Sequence, residues 1–143
     1  MAEKTKIQWC DHTFNGWIGC TKVAEGCEHC YAESDFDHRK GRVKWGPKGT
    51  RSMTKTWGDL GKWGRAAQKV GEKRKVFCFS LADVFEDWQG PILDSKGFEL
   101  FHDGHHVHNP FREWFNYPHF ELRKTTMDDL RRDLFREIDA CPN

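Results

Sequence analysis

Residues 19–33 of this chain read GCTKVAEGCEHCYAE and place three cysteines close together, at Cys20, Cys27 and Cys30. The spacing C-x6-C-x2-C lets the last two thiolates meet one metal centre across a tight turn, while the first arrives from the preceding loop. Three thiolates leave one coordination position open, as a catalytic metal or cluster requires, whereas a structural zinc site needs a fourth ligand. Because thiolates suit zinc and iron–sulfur clusters equally, the spacing leaves both open.

The sequence offers three candidates for a fourth zinc ligand, namely Cys10, His12 and His29, although Cys10 also fits a thiol that binds no metal. Cys78 and Cys141 are isolated in the sequence, which favours buried structural thiols at both positions. In a reducing cytoplasm, clustered thiols indicate metal or redox sites rather than disulfides.

Length and composition indicate one domain with few strands. The chain has 143 residues, in which Val, Ile and Leu number 17 while Phe, Trp and Tyr number 20, so a fold of many buried strands is poorly supplied. No apolar run approaches the roughly 18 residues that a membrane span needs. The first ten residues, MAEKTKIQWC, lack the apolar stretch of a secretory signal. We therefore expect a cytoplasmic protein with no membrane partner.

Charge is distributed unevenly, although the whole chain carries only +1. Residues 38–75 hold 13 basic and 2 acidic side chains, a net charge of +11, whereas both flanking segments are acidic. Such a segment attracts polyanions through counterion release, and Trp45, Trp57 and Trp63 would offer stacking faces to nucleobases. We expect either a nucleic-acid contact through residues 39–75 or a solvated loop.

Hydrophobic periodicity predicts strands and helices on both sides of the cysteine loop. Residues 6–9 favour a short strand. Residues 31–40 favour a helix whose acidic side chains come early and basic ones late, as the helix dipole prefers. Residues 41–64, which are rich in glycine, indicate an extended loop, and residues 65–73 favour a short basic helix.

The second half of the chain contains one predicted strand and one predicted helix. Residues 75–82, KVFCFSLA, form a short apolar run bounded by charges, which is typical of a buried parallel strand. Residues 89–123 are broken by prolines and rich in aromatics, which indicates a packed loop or lid. Thr126 is a candidate helix N-cap. The apolar stripe of this helix consists of Met127, Leu130, Leu134 and Ile138. The order of elements predicts an α/β fold built of βα units.

Several motifs spaced along the chain resemble one known family. They are IQW at 7–9, GCTKV at 19–23, GCEHCYAE at 26–33, WGP at 45–47 and VFCFSLADVF at 76–85. On these motifs the chain is identified as a member of a bacteriophage and prophage three-Cys-motif family, named for phage gene products thirty-seven and sixty-eight. The match runs in register from about residue 6 to residue 87 and resumes over the final helix.

That family is in turn similar to radical S-adenosylmethionine enzymes, which fold as partial (β/α) barrels. The resemblance implies that Cys20, Cys27 and Cys30 hold a [4Fe–4S] cluster. In such enzymes S-adenosylmethionine chelates the fourth iron, and reduction cleaves it to a carbon radical. The usual spacing is C-x3-C-x2-C, so the six-residue first gap of this chain departs from the pattern. By position, His29 would lie against the adenine, and an exposed loop histidine is the alternative.

Ser80 and Asp83 are the other candidate cofactor-binding residues. They follow the apolar run of the predicted strand 75–82, at the carboxyl end that faces the active site in βα barrels. There Asp83 would bind the hydroxyls or the amino group of the cofactor, and its alternative role is to cap a helix after the strand.

A second cluster of ligand-type side chains lies near the predicted lid, at His102, His105, His106 and His108. Gly104 and the proline at 110 favour a surface loop there. Metal binding is the alternative, although no acidic or thiol ligand pattern accompanies the histidines.

A complete (β/α)8 barrel needs about 250 residues. We therefore expect a single truncated domain over residues 1–143, an incomplete (β/α) barrel like the N-terminal part of a radical S-adenosylmethionine enzyme, with long irregular insertions. Its expected parts are the cysteine loop with the first helix (1–37), the basic aromatic insertion (38–75), and the second strand, aromatic-rich loop and final helix (76–143). The open sheet edge of such a piece would suit a partner chain that completes the barrel.

These expectations leave three functions in competition. The first is a phage-family protein that resembles radical S-adenosylmethionine enzymes, binds an iron–sulfur cluster and acts on nucleic acid or nucleotides. The second is a non-catalytic zinc-binding nucleic-acid module with Cys10 or His12 as the fourth ligand. The third is an inactive prophage fragment.

Overall fold

The structure, a computed structural model, describes residues 4–103, 107–109 and 122–141. Over these ranges the chain is a mixed α/β protein with three helices and three small sheets. Helix α1 (Tyr31–Glu33) continues directly as a π-helix over Ser34–Arg39, and it is followed by α2 (Asp59–Val70) and α3 (Met127–Asp139). None of the helices described is both long and apolar enough to span a bilayer.

The strands are short. They are β1 (His12–Phe14), β2 (Trp17–Ile18), β3 (Arg51–Met53), β4 (Val76–Cys78), β5 (Ile92–Leu93), β6 (Phe101–His102), β7 (Val107–His108) and β8 (Arg123–Lys124). Strand β1 pairs in parallel with β4, the second sheet has the order β2-β3-β5, and the third has the order β7-β6-β8. No sheet within the described ranges closes into a barrel.

The strand predicted over residues 75–82 exists as β4, and its parallel pairing is confirmed. Thr13 of β1 lies opposite Phe77, and beyond the two strands a bridge between Gly19 and Ala82 keeps the same parallel direction. The predicted burial is wrong, because the three residues of β4 are only half-buried. A two-stranded sheet cannot cover both faces of β4, as the flanking helices of a larger parallel sheet would.

The strand predicted over residues 6–9 is wrong. The chain makes a turn there, in which the Cys10 N–H donates to the Ile7 carbonyl at 3.4 Å, and Trp9 stays largely exposed. The first strand begins only at His12.

The helix predicted over residues 65–73 is instead α2, and the loop predicted over residues 41–64 contains β3 and the first half of this helix. Gly61 and Gly64 each cost about 1 kcal/mol relative to alanine inside a helix, which is why the sequence pattern favours a loop. Burial of Leu60, Trp63 and Ala67 along one face of α2 outweighs that cost.

Helix α3 confirms most of its prediction. The Thr126 side chain accepts from the Asp129 backbone N–H at 3.3 Å, and the Asp129 carboxylate accepts from the Thr126 N–H at 2.9 Å, which makes a capping box. Of its predicted apolar stripe, Met127, Leu130 and Leu134 are buried, whereas Ile138 is exposed.

The segment predicted as irregular over residues 89–123 contains β5, β6 and β7, while residues 110–121 lie outside the described ranges. The main core fills the space between the first two sheets and the two longer helices. It consists of Phe14, Trp17, Leu60, Trp63, Trp88, Ile92, Leu100, Met127, Leu130 and Leu134. A smaller cluster of Ile18, Ala32, Val43 and Leu81 packs the helix over residues 31–39 behind the cysteine loop.

Candidate functional site

The three cysteines of the sequence motif meet at one cavity of about 110 Å³. All three thiols are free, and each side chain is partly buried. The remaining lining residues are Thr21, Lys22, Ala32, Trp45, Ser80, Leu81 and Ala82. The structure therefore brings Cys20, Cys27 and Cys30 together with Ser80, which comes from a segment fifty residues further along the chain.

The cavity lies where the two parallel segments end. Cys20 comes directly after Gly19, whose bridge to Ala82 is the last contact between the two segments. The chain then makes a single 3-10 turn over Glu25–Cys27, and Cys30 stands at the N-cap position of α1. Carboxyl ends of neighbouring parallel strands are the usual place of ligands in α/β proteins.

Asn15 joins the two parallel segments just below the cavity, and its side chain is almost fully buried. Its side-chain amide donates to Ser80 Oγ at 3.3 Å, and its Oδ1 accepts from the Leu81 backbone N–H at 2.9 Å. Phe79, directly before them, has a φ of +60°. A residue with a Cβ adopts this left-handed conformation at a cost of order 1 kcal/mol, so the surrounding contacts must hold it there.

A buried ion pair fixes the start of the cysteine loop from the other side. Arg51 has no exposed surface, and it contacts Glu86 through Nε at 2.7 Å and Nη2 at 2.5 Å. The same Nη2 donates to Thr21 Oγ1 at 2.9 Å, and the guanidinium lies 4.0 Å from the Trp88 ring centre. Thr21 follows Cys20 directly, so this pair holds the backbone that carries the first thiol.

Sequence reasoning missed both Asn15 and the Arg51–Glu86 pair. In the sequence, Arg51 is one of many bases in a segment predicted to contact nucleic acid or to form a solvated loop, and its partner lies 35 residues away. The only available signal was indirect: Glu86 comes shortly after a predicted strand end, where buried polar groups cluster around sites.

The thiols differ in how readily they ionise. Burial raises the pKa of Cys20 to about 11, and the nearby carboxylates of Glu86 and Asp83 raise it further. Backbone hydrogen bonds at Val23 and Ala24 lower the pKa of Cys27. Cys20 therefore ionises less readily than Cys27, and a bound metal would favour its thiolate form.

Among the described residues, Lys22 is the only cation that lines the cavity. Its Nζ lies 2.7 Å from Glu33, whose hydrogen bond raises the Lys22 pKa, and the charges of Cys30 and Cys27 raise it further. The charge of Lys22 also lowers the pKa of Cys27 and so favours the ionised form of that thiol.

The donor atoms around the cysteine cavity decide whether the site fits a metal. As they stand, no three His, Cys, Asp or Glu groups in residues 4–103, 107–109 and 122–141 are arranged to hold a metal ion. The donor set nevertheless fits a thiophilic metal or cluster, since three free thiols face one cavity. Residues 22–26 between the first two cysteines are exposed, so the loop can tighten without breaking the core.

Of the three predicted cofactor residues, Ser80 lies in the cavity wall, whereas Asp83 and His29 do not. Asp83 accepts from the Phe85 backbone N–H at 2.8 Å, in a turn rather than at a helix N-cap. His29 is exposed in the turn before Cys30 and does not line the cavity. Ser80 lies in the wall, and its carbonyl accepts from the Tyr31 hydroxyl at 2.9 Å.

The candidate fourth ligands of a zinc site are found elsewhere. Cys10 and His12 line a separate cavity of about 510 Å³ near the amino end of β1. The His12 ring stacks on Trp63, with ring centres 4.4 Å apart. Cys78 and Cys141 line a third cavity of about 250 Å³, where both are partly rather than fully buried.

Two histidines of the second cluster lie beside carboxylates. His102 is fully buried, with Nε2 3.6 Å from Asp133, and His108 Nε2 lies 2.7 Å from Asp103. His105 and His106 lie outside the described ranges.

The indoles of the basic segment are used in packing. Trp63 belongs to the main core, Trp57 Nε1 donates to the Gly16 carbonyl at 2.9 Å, and Trp45 lines the cysteine cavity. They do not form the row of exposed stacking faces that the sequence pattern had favoured.

Comparison with known proteins gives a family and no named function. Residues 4–95 match a protein family described as "Protein of unknown function (DUF5131)". This range contains the three cysteines, Ser80 and both members of the Arg51–Glu86 pair. No curated protein and no solved structure matches the chain.

Proposed function

Because the chain belongs to the DUF5131 family, whose description assigns no function, we propose a function from its site. Cys20, Cys27 and Cys30 hold a [4Fe–4S] cluster, and the protein is a phage-type relative of radical S-adenosylmethionine enzymes that acts on nucleic acid or nucleotides. A cluster held by three cysteines leaves one iron for S-adenosylmethionine, which supplies a carbon radical when the cluster is reduced.

The observation that carries this proposal is the meeting of three thiols at one cavity, at the carboxyl ends of two parallel segments. In the wall of this cavity Lys22 favours the ionised form of the Cys27 thiol, and Ser80 presents a hydroxyl that Asn15 orients. These residues are the parts of the chain that would bind and orient a polar cofactor beside the cluster.

The remaining cofactor contacts are proposed by position. Asp83 follows the cavity residue Ala82 and would bind the cofactor's hydroxyls or amino group. His29, exposed between Cys27 and Cys30, would lie over the adenine once the loop tightens.

For the fold, we propose that β1 and β4 are neighbouring strands of an incomplete (β/α) barrel. Their parallel register supports this arrangement, as does the presence of helices α1 and α2 in the chain that connects them. Strand β4 has one paired edge in the described structure, so a partner chain would add its strand at the other edge.

Zinc is the second candidate occupant, because the same thiols would bind it. Its fourth ligand would be His29 rather than Cys10 or His12, since the latter two line a different cavity. In that form the protein would be a non-catalytic zinc-binding nucleic-acid module.

Metal and sulfide analysis of protein purified without oxygen tests the proposal. We expect about four iron and four sulfide ions per chain, as a [4Fe–4S] cluster contains. Cys20→Ala, Cys27→Ala and Cys30→Ala should each lose most of this iron, whereas the control Cys78→Ala should keep it. One zinc per chain without sulfide, lost in the same three variants, would show that the three cysteines bind zinc rather than a cluster. If Cys78→Ala lost iron as readily as Cys20→Ala, the assignment of Cys20, Cys27 and Cys30 as the ligands would be wrong.

A further inference from the structure

Two aromatic side chains stand out by their exposure to solvent. Phe85 is 79 % exposed and Tyr31 is 63 % exposed, and no other aromatic residue in the described part of the chain exceeds them. Leaving large apolar rings in water forgoes the stabilisation that burial would bring. Exposed apolar groups that cluster at one place commonly mark a surface that binds a ligand or partner.

Both residues are attached to the wall of the cysteine cavity. Tyr31 follows Cys30 directly, and its hydroxyl donates to the carbonyl of the wall residue Ser80 at 2.9 Å. Phe85 comes three residues after the wall residue Ala82, and its backbone N–H donates to the Asp83 carboxylate at 2.8 Å. The two exposed rings are therefore carried by the two segments that bring the thiols together with Ser80.

These rings offer what the tryptophans of the basic segment do not. Trp63 is buried in the main core and Trp57 packs against it, so neither presents a free face to a ligand. Stacking on aromatic faces is the usual way in which proteins hold the bases of single-stranded nucleic acid. The exposed aromatic surface of the described chain thus lies next to the candidate site rather than in the basic segment.

We propose that Tyr31 and Phe85 stack against an unpaired nucleobase at the cysteine cavity. The inference rests on the function proposed above and narrows its substrate from nucleic acid or nucleotides in general to an accessible base. In a duplex both faces of a base are covered by its neighbours. A ring can therefore stack on a base only where the strand is single or the base is turned out of the helix.

Positive charge borders the same cavity through the segment that carries Trp45. Trp45 lines the cavity, and the N–H of the next residue, Gly46, donates to the Cys20 carbonyl at 2.9 Å. Arg42 and Lys48 flank this contact in the chain, and both are exposed. Bases of this kind would contact the phosphates on either side of a stacked nucleobase.

A protein partner fits the two rings less well. Burying both rings fully would cover about 300–500 Å². Each side of a specific protein interface buries about 800 Å². The aromatic surface is thus closer in size to one or two stacked bases than to a protein interface.

The test measures binding of a fluorescently labelled single-stranded DNA and RNA of about 12 nucleotides, within the length that one single-strand site covers. Anisotropy is recorded with protein purified without oxygen. A duplex of the same sequence and a strand of abasic sites serve as comparison probes. The variants are Phe85→Ala and Tyr31→Ala, and circular dichroism melting and iron content are recorded for each.

We expect the wild type to bind the single strands more tightly than the duplex or the abasic strand. Phe85→Ala and Tyr31→Ala should each lower the affinity for the single strands about five- to 100-fold, the effect of losing one base–aromatic stack. Neither variant should weaken binding of the abasic strand, because that probe keeps the phosphates and lacks the bases.

Two control variants separate stacking from other effects. Tyr31→Phe removes the hydrogen bond to Ser80 and keeps the ring, so it should bind the single strands as the wild type does. Trp9 is 60 % exposed, but it precedes β1 and packs against Phe77, away from the cavity. Trp9→Ala should therefore leave the affinity unchanged.

Equal affinity of the wild type for single strand and duplex would overturn the inference, as would a loss in Trp9→Ala as large as that in Phe85→Ala. It would also be overturned if both alanine variants kept their affinity and instead slowed reduction of the cluster by a flavodoxin, because the rings would then dock a protein. Competition with nucleoside monophosphates distinguishes the two sources of the base, since full displacement assigns a free nucleotide and no displacement assigns the strand.

The iron content separates this inference from the proposed cluster. Wild-type protein without iron that still binds single strands through the two rings would contradict the cluster and support the stacking site. Protein with its full iron content that binds no single strand and no nucleotide would support the cluster and overturn the stacking site.

Discussion

Arg51 and Glu86 form a two-pronged ion pair beneath the cysteine loop, 35 residues apart in the chain, and the arginine has no exposed surface. Burial alone would raise the pKa of Glu86, but the hydrogen bonds and charge of Arg51 prevail, and the pKa lies below its usual value. The pair links β3 to the segment after β4, and through Thr21 it reaches the residue next to Cys20. The position of the first thiol therefore depends on a charge that solvent does not reach.

Replacing Arg51 by methionine should destabilise the protein by about 3–5 kcal/mol, because Glu86 would be left as an uncompensated buried charge. The double variant Arg51→Met, Glu86→Leu should recover most of this loss, since it removes both charges. Urea unfolding followed by fluorescence measures both free energies. If the single variant lost no more stability than the double variant, Arg51 would not be compensating a buried charge on Glu86.

Gly19 should tolerate no side chain. Its φ is +113°, and a Cβ there would lie 2.5 Å from the Thr50 carbonyl oxygen. We expect Gly19→Ala to cost about 2 kcal/mol or more, from left-handed strain together with the clash.

Gly26 of the same cysteine loop provides the matched control. A Cβ at Gly26 would meet no atom within 4 Å, so Gly26→Ala should change the unfolding free energy by less than about 0.5 kcal/mol. Equal stability of the two variants in urea would show that the close approach of the Gly19 backbone to Thr50 does not matter.

Asp129 should make the protein sensitive to acid. Its carboxylate is buried, where desolvation would raise the pKa, but hydrogen bonds from Arg123 and Thr126 hold the pKa far below the usual value. Because the folded pKa is below the unfolded value of about 3.9, the stabilisation is fully present above about pH 5. It is lost as the pH falls toward the folded value.

Asp129→Asn should therefore lower the unfolding free energy at pH 7 by about 2–4 kcal/mol, and the gap to the wild type should narrow between about pH 5 and pH 2. Asp128, the preceding residue, pairs with Arg131 but is 85 % exposed, so Asp128→Asn should change stability by less than about 1 kcal/mol. If the difference in unfolding free energy between Asp129→Asn and the wild type stayed constant across this pH range, the pKa of Asp129 would not be lowered in the folded protein.

The parts that the sequence predicts well are those with a local signal. Helix α3 follows from Thr126 and an apolar stripe, and β4 follows from an apolar run, because each pattern is complete within about a dozen residues. The meeting of the three cysteines was likewise expected from their spacing.

The parts that the sequence does not predict depend on distant partners. Helix α2 forms across Gly61 and Gly64 because Trp63 is buried in the core, which local propensity does not show. In the same way Arg51 was one base among thirteen until the fold paired it with Glu86. Asn15 carries no pattern at all, since its two partners are 65 and 66 residues away.

Asn15 should be needed both for stability and for the shape of the cysteine cavity. In Asn15→Ala the buried N–H of Leu81 loses its acceptor and Ser80 Oγ loses its donor, so we expect a loss of about 2–3 kcal/mol. The left-handed Phe79 would then lose the contacts that hold the chain after it, and Ser80 would move relative to the cavity.

Ser80→Ala is the matched control, because it removes only the 3.3 Å bond and leaves the Leu81 N–H paired. It should cost less than about 1 kcal/mol. Urea unfolding gives both free energies, and iron retained per folded chain at low temperature separates cavity shape from global stability. Asn15→Ala should retain less iron than Ser80→Ala, whereas equal retention would mean that Asn15 supports the fold without shaping the site.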